Sequence, residues 1–191
     1  MDTNTIIVLA ISAVIFLLIG GALGVAFTRR QRTKRLKDRF GPEYDRVLEE
    51  IGDRGKVEDE LEARVDHVKS LDIKELSREQ REEFIAEWRS TQAEFVDQPM
   101  DAIRNANQLV KDVMGAKGYP VDDFDQRVAD ISVDYPDLVT NYRGMRDIVN
   151  KSEHEEVDTE ELRQAMVHCR ALFEELLGAE VKEDITQKEK M

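Results

Sequence analysis

The chain begins with an apolar run that differs from everything after it. From Ile6 to Phe27 there are 22 residues, and Ser12 is their only polar side chain. As an α-helix this run would measure about 33 Å, against about 30 Å for the hydrocarbon core of a bilayer. A helix buried in a globular core is seldom apolar on every face over such a length. The pattern predicts a transmembrane anchor over residues 1–28.

A cleaved signal peptide is the alternative interpretation of this run. The residues before it carry no positive charge, and the run is longer than the roughly 7–15 apolar residues of a signal peptide. Uncleaved insertion is therefore the preferred interpretation. Gly20 and Gly24 have the small-xxx-small spacing that lets two membrane helices approach closely, which makes a homodimer through them a further hypothesis.

The charges that follow the run predict its orientation. No base precedes it, and residues 29–39 contain seven: Arg29, Arg30, Arg32, Lys34, Arg35, Lys37 and Arg39. Lys and Arg beside a span favour the cytoplasmic side, where they also lie close to anionic headgroups. We expect the N-terminus outside, a basic juxtamembrane segment over residues 29–42, and the rest of the chain in the cytoplasm of a cell-membrane protein.

Beyond Pro42 the apolar positions follow helical spacing. Residues 43–76 have few of them (Val47, Ile51, Leu61, Val65, Val68), which predicts a charged stalk or outer helix that Gly52 and Gly55 could bend. Residues 77–178 predict a helical bundle. Its first helix begins at the capping-box pair Ser77 and Gln80 and runs to about Val96.

The remaining boundaries of the bundle are marked by caps and breakers. A second helix starts near Asp97 and Pro99 and ends at Gly118. Asp122 or Asp123 caps a third, Asp134 before Pro136 starts a fourth, and the pair Asp158 and Glu161 caps the last, which ends at Gly178. The third helix is predicted to run to about Ile131. The predicted inward stripes are Phe84, Trp88, Phe95; Ile103, Ala106, Val110, Val113; Phe124, Val128; Leu138, Tyr142, Met145, Val149; and Leu162, Ala165, Met166, Cys169, Leu172, Phe173, Leu176. Lys151–Glu156 is predicted as a polar loop and residues 179–191 as a disordered tail. The fold class is all-α.

Composition narrows the function classes. The net charge is −13, but residues 40–191 alone hold 21 bases and 39 acids. Such an acidic body argues against nucleic acid as a partner, because phosphate binding needs a basic face.

Candidate chemistry is sparse. His67, His154 and His168 lack the spacing of metal ligands. Cys169 lies on an apolar stripe, as an inert buried thiol does, and His168 beside it points about 100° away on a helix. The acids Asp122, Asp123, Asp125, Asp130, Asp134 and Asp137 lack the register of a calcium loop and are better explained as helix caps and first-turn residues. We therefore expect no catalytic residue, metal site or cofactor.

Four segments carry a resemblance: RFGPEYDR (39–46), AEWRSTQAEFVDQP (86–99), GYPVDDFDQRVADISVDYP (118–136) and TEELRQAMVHCRALFEELL (159–177). Together they resemble a family of uncharacterised bacterial single-pass, membrane-anchored helical proteins, over nearly the whole chain. The resemblance implies the anchor and the helical body but no activity. Cys169 stands where the family pattern has Tyr, and Arg146 where it has His.

The sequence favours a membrane-tethered interaction or scaffold module without enzymatic activity, whose partners are the lipid bilayer and other proteins. The alternative is a membrane-tethered enzyme or small-ligand sensor with a site between helices.

Overall fold

The computed structural model describes residues 3–152 and 157–178; within the first helix it describes the side chains from residue 26 onward and those at 16, 20, 21 and 24. All regular structure in these ranges is helical, which confirms the all-α class and the helical bundle. The helices are α1 (Thr3–Phe40), α2 (Pro42–Ile51), α3 (Arg54–Ser70), α4 (Arg78–Glu94), α5 (Pro99–Lys117), α6 (Phe124–Asp134), a short 3-10 helix (Pro136–Leu138), α7 (Val139–Ser152) and α8 (Thr159–Leu177).

The chain divides into two compact units, Met1–Asp59 and Glu60–Met191, with the boundary inside α3. In the N-terminal unit the apolar run and the basic segment belong to one helix, α1. Among the described residues, no helix combines the length and the apolar character that a membrane crossing requires. The predicted anchor falls mostly on residues whose side chains lie outside the description. The predicted tail, 179–191, lies outside it altogether.

The N-terminal unit turns at two glycines. Gly41 separates α1 from α2, and Pro42 occupies the first turn of α2, as the sequence predicts. The outer helix predicted over residues 43–76 is interrupted at Gly52, one of the two glycines where a bend was expected, and its second part ends at Ser70. α2 ends at Ile51 because Gly52 adopts the left-handed conformation (φ 73°) and its N–H bonds to the carbonyl of Leu48.

The C-terminal unit contains the main core. α8 packs against α5 and α7, α5 also packs against α4, and α6 packs against α7. The Trp88 ring is fully buried and stacks on Phe173 with centroids 4.8 Å apart. Phe84 and Phe95 are only partly buried at the edge of this core.

Local signals place most helix ends correctly. Both capping boxes form, at Ser77 with Gln80 and at Asp158 with Glu161, and Asp123 is the cap of α6. Gly118 ends α5 at φ 101°. A Cβ at this glycine would lie 2.5 Å from the carbonyl oxygen of Asp72, so the close approach of two backbone segments also requires glycine here.

Three boundary predictions are wrong. α4 ends at Glu94, and Val96 beyond it is 82% exposed. Asp134 does not start a helix but is the last residue of α6, because the next N–H, of Tyr135, still bonds back to Ile131. The predicted polar loop begins too early, since Lys151 and Ser152 belong to α7; residues 153–156 lie outside the description.

Because α7 starts at Val139 and not near Asp134, its buried residues also differ from the predicted ones. Val139 is buried in place of the predicted Leu138, which is only partly buried, as is Val149. Tyr142 and Met145 are buried as predicted.

Candidate functional site

The cysteine and the histidines do not come together. Cys169 is fully buried, and burial raises the pKa of its thiol to about 12, so it is an unreactive core residue at neutral pH. His168 is partly buried beside the core, and burial lowers its pKa. His154 lies outside the described residues. In the described part of the chain, no three His, Cys, Asp or Glu side chains are grouped closely enough to hold a metal ion.

The acidic residues of the 122–137 region have different environments. Asp123 caps α6 and Asp125 lies in its first turn, as the sequence predicts. Asp130 departs from that explanation: it lies in the second turn of α6, beyond the reach of the cap, and is 0% exposed. Its burial must therefore be explained by its contacts with neighbouring helices, and not by helix capping.

His67 of α3 approaches this buried carboxylate. Its Nε2 lies 3.6 Å from Oδ1 of Asp130, an ion pair only when the imidazole is protonated. Gln126 donates a hydrogen bond of 2.8 Å to the same oxygen, while no described residue donates a hydrogen bond to the buried Oδ2. Burial raises the pKa of Asp130, and the charges of His67 and Arg64 partly oppose that rise.

A second buried charge lies one turn before Asp130 in α6. Arg127 is 5% exposed, and its Nε donates a 2.8 Å hydrogen bond to the hydroxyl of Tyr142 in α7. Its Nη1 donates to the carbonyl of Val121. Within the described chain no carboxylate lies within ion-pair distance of this guanidinium, and its Nη2 makes no hydrogen bond. Arg127 is thus a buried cation held by neutral oxygens.

The space beside Arg127 is a small pocket of about 170 Å³ between α5, α6 and α7. Phe124 lies in its wall, with the guanidinium of Arg146 3.7 Å and that of Arg127 5.6 Å from the ring centroid. The polar residues that line the pocket are Asn107, Lys111, Arg127, Arg146 and Asn150. We call these five residues together with Phe124 the cationic pocket.

Carboxylates line a different groove of the same unit. Between α4 and α5 a groove of about 300 Å³ is lined by Glu87, Glu94 and Asp112. Asn105 donates to Glu94 (2.7 Å) and Gln108 to Asp112 (2.9 Å), which holds two of these acids in place. We call this surface the acidic groove.

The basic segment forms a groove within the N-terminal unit. About 780 Å³ of open space is bounded by Arg29, Arg30 and Lys34 of α1 and by Arg54 at the start of α3. Four carboxylates also line it, which leaves the bases in a small excess: Asp38, Asp53, Glu58 and Asp59. Among the ion pairs of the segment, Arg32 Nη2 lies 2.7 Å from Asp59, and Lys37 Nζ lies 2.8 Å from Asp45. We call this surface the basic groove.

Sequence reasoning missed the cationic pocket and the pair of His67 with Asp130. Arg127, Arg146 and Lys111 are ordinary helix residues by spacing. The one available signal was the charged Arg127 between Phe124 and Val128 on a predicted inward face.

Comparison with family models, with curated proteins and with solved structures gives no match for this chain. No family model matches the chain, and no curated protein or solved structure is significantly similar to it.

Proposed function

We propose that this chain is a single-pass membrane protein whose helical body is an interaction or scaffold module at the cytoplasmic face. The observation that carries the proposal is the change of polarity along the chain. α1 contains the 22-residue apolar run and, directly after it, the seven bases, while the residues that follow are strongly acidic. Apolar run, basic headgroup-level segment and acidic body form the usual order for such an anchor.

The basic groove supports the lipid part of the proposal. Its cations Arg29, Arg30 and Lys34 lie on the part of α1 that follows the apolar run, where each Lys or Arg near an anionic surface contributes roughly 1 kcal/mol. Gly20 and Gly24 are exposed on the described surface of α1, and dimerisation through them stays a hypothesis.

The acidic groove supports a protein partner with basic side chains. Three carboxylates converge on it, and neighbouring amides orient two of them. A tethered body with such a surface raises the local concentration of the partner and selects it by charge.

Membrane insertion is tested by alkaline carbonate extraction of native membranes. We expect the full chain in the pellet with an intact N-terminus by mass, because a span of about 22 apolar residues inserts essentially irreversibly. A soluble species that starts near Phe27 would show that residues 1–26 are a cleaved signal and not an anchor.

Partner binding is tested by proximity labelling in native cells, followed by capture from solubilised membranes. We expect capture to weaken with salt and in a variant with Glu87→Gln and Asp112→Asn, since exposed charges are screened over about 8–10 Å. The matched control, Glu49→Gln with Glu83→Gln, removes two exposed acids outside the groove. Equal capture by both variants would exclude the acidic groove as the partner surface.

The second candidate is a membrane-tethered ligand sensor or enzyme. The cationic pocket favours this class, because it is a polar space between helices that lacks a counter-charge for Arg127. Substitution of Cys169 with Ser, or of all three histidines with Gln (His67, His154 and His168), should leave a scaffold phenotype unchanged in a folded, normally abundant protein. Loss of the phenotype in such a variant would favour the second candidate.

A further inference from the structure

The cationic pocket presents an unusual distribution of charge. Residues 40–191 carry 21 bases and 39 acids, yet three bases, Lys111, Arg127 and Arg146, line one space of about 170 Å³. Within residues 3–152 and 157–178, the one carboxylate paired with them is the exposed Asp125, whose Oδ1 lies 3.4 Å from Arg146 Nη1. Positive charge is thus concentrated at this point against the charge of the body as a whole.

The arginine at the back of the pocket lacks a counter-ion. A buried charge is ordinarily paired, because taking an ion out of water is costly unless an opposite charge compensates. Arg127 is only 5% exposed, and its hydrogen-bond partners are one phenol oxygen and one carbonyl oxygen. Among the described residues, neither the Nη2 of Arg127 nor the ammonium of Lys111 has an ion-pair or hydrogen-bond partner.

The donors around this space match an oxyanion. Guanidinium and ammonium groups supply charge-assisted hydrogen bonds to phosphate or carboxylate oxygens, and the amides of Asn107 and Asn150 can add neutral ones. The volume is below the roughly 300–1,000 Å³ of pockets for drug-sized ligands. The space therefore suits an anion of a few heavy atoms and not a nucleotide.

We propose that the cationic pocket binds a small oxyanion, with Arg127 as the buried counter-charge and Lys111 and Arg146 as the cations at its rim. The shared chemistry is a compact, singly or doubly charged oxygen anion, either an inorganic phosphate-type ion or a small carboxylate. The site is independent of the membrane proposal, since all of its residues lie in the C-terminal unit.

The test uses the full chain in detergent micelles. Thermal unfolding is followed against sodium phosphate, sodium sulfate and sodium acetate, each compared with sodium chloride at equal ionic strength. We expect a saturable rise in melting temperature beyond that in chloride, because a ligand that binds only the folded state stabilises it. A rise with phosphate and sulfate identifies a tetrahedral ion as the ligand, and a rise with acetate identifies a carboxylate.

Variants test whether the rise in melting temperature comes from anion binding in the cationic pocket. Lys111→Gln and Arg146→Gln should each weaken anion binding about tenfold, the loss expected for one charge-assisted hydrogen bond. Arg104→Gln removes an exposed base of α5 outside the pocket and should bind as the parent does. Arg29→Gln with Arg30→Gln controls for anions attracted to the basic groove.

Two results would overturn the proposal. One is a melting temperature that rises no further in any oxyanion than in chloride. The other is an equal oxyanion effect in the parent and in a folded Lys111→Gln, Arg146→Gln double variant, with the helical circular dichroism of the parent. In either case the carbonate extraction of the chain would be unaffected, so the membrane proposal would be judged separately.

Discussion

At the scale of single residues, the C-terminal unit is stabilised by one large aromatic contact. Trp88 is fully buried and its ring stacks on Phe173, while its Nε1 has no hydrogen-bond partner in the described part of the chain. Trp88→Ala should lower the free energy of unfolding by about 3–5 kcal/mol, the usual cost of such a cavity. Trp88→Phe keeps a stacked ring and should cost clearly less. Urea unfolding by circular dichroism measures both, and a neutral Trp88→Ala would contradict this packing.

Asp130 gives a pH-dependent prediction whose direction follows from its burial. Because burial raises its folded-state pKa, the folded chain binds a proton more readily than the unfolded chain. The protonated carboxyl therefore stabilises the folded state, and this contribution grows as the pH falls from the pKa of the folded state towards the lower pKa of the unfolded state. At a pH above both pKa values the carboxyl is ionised in the folded and the unfolded chain, and its burial lowers the free energy of unfolding.

Asp130→Asn should remove that pH dependence and raise stability near neutral pH. The amide keeps an oxygen for Gln126 and buries no charge. Urea midpoints from about pH 4 to pH 8 measure the effect, and Asp122→Asn on the exposed surface is the control. A pH profile of Asp130→Asn that parallels the parent would show that the pairing with His67 already compensates the charge.

At the scale of secondary-structure elements, the chain shows which features are locally encoded. Capping boxes and terminal glycines depend on residues within a few positions of each other, so Ser77, Asp158 and Gly118 were predicted correctly. The same local reasoning failed at Asp134. An acid before a proline is also compatible with the last turn of the preceding helix, and packing decided the outcome.

Contacts between residues far apart in the sequence could not be predicted from local patterns. Tyr142 lies 15 residues from Arg127, and their hydrogen bond depends on how α6 packs on α7. The cationic pocket and the pair of His67 with Asp130 arise in the same way, from helices distant in sequence. Helical periodicity predicts which face of a helix turns inward, but it does not predict which buried polar groups will meet there.

The cap of α8 provides a prediction at this scale. The side chain of Asp158 accepts a 2.8 Å hydrogen bond from the N–H of Glu161, whose carboxylate bonds back to the N–H of Asp158. Asp158→Ala should cost about 1 kcal/mol, whereas Asp158→Asn keeps an acceptor and should cost much less. Urea unfolding of the two variants measures the difference. Equal stability of Asp158→Ala and the parent would indicate that α8 is held by packing alone.

At the scale of the whole molecule, charge is separated along the chain. The bases of residues 29–39 follow the apolar run, while carboxylates dominate everything after it. The structure adds that α1 carries the basic segment as a helix and that Arg32 and Lys37 pair with acids of the N-terminal unit. These two bases have a structural role, so a test of topology should leave them in place.

The last prediction concerns membrane orientation. A C-terminal reporter that is active only in the cytoplasm should be active on the parent chain, because all seven flanking bases follow the apolar run. Replacing Arg29, Arg30, Lys34 and Arg35 with Gln, together with Asp2→Lys, Asn4→Lys and Thr5→Lys, should give a mixed or inverted orientation. The control variant replaces Arg29, Arg30 and Arg35 with Lys and Lys34 with Arg. It keeps the charge of the segment and should keep the orientation. A reporter active only outside the cytoplasm on the parent chain would show that the helical body is exported, and the charge argument would then be wrong for this protein.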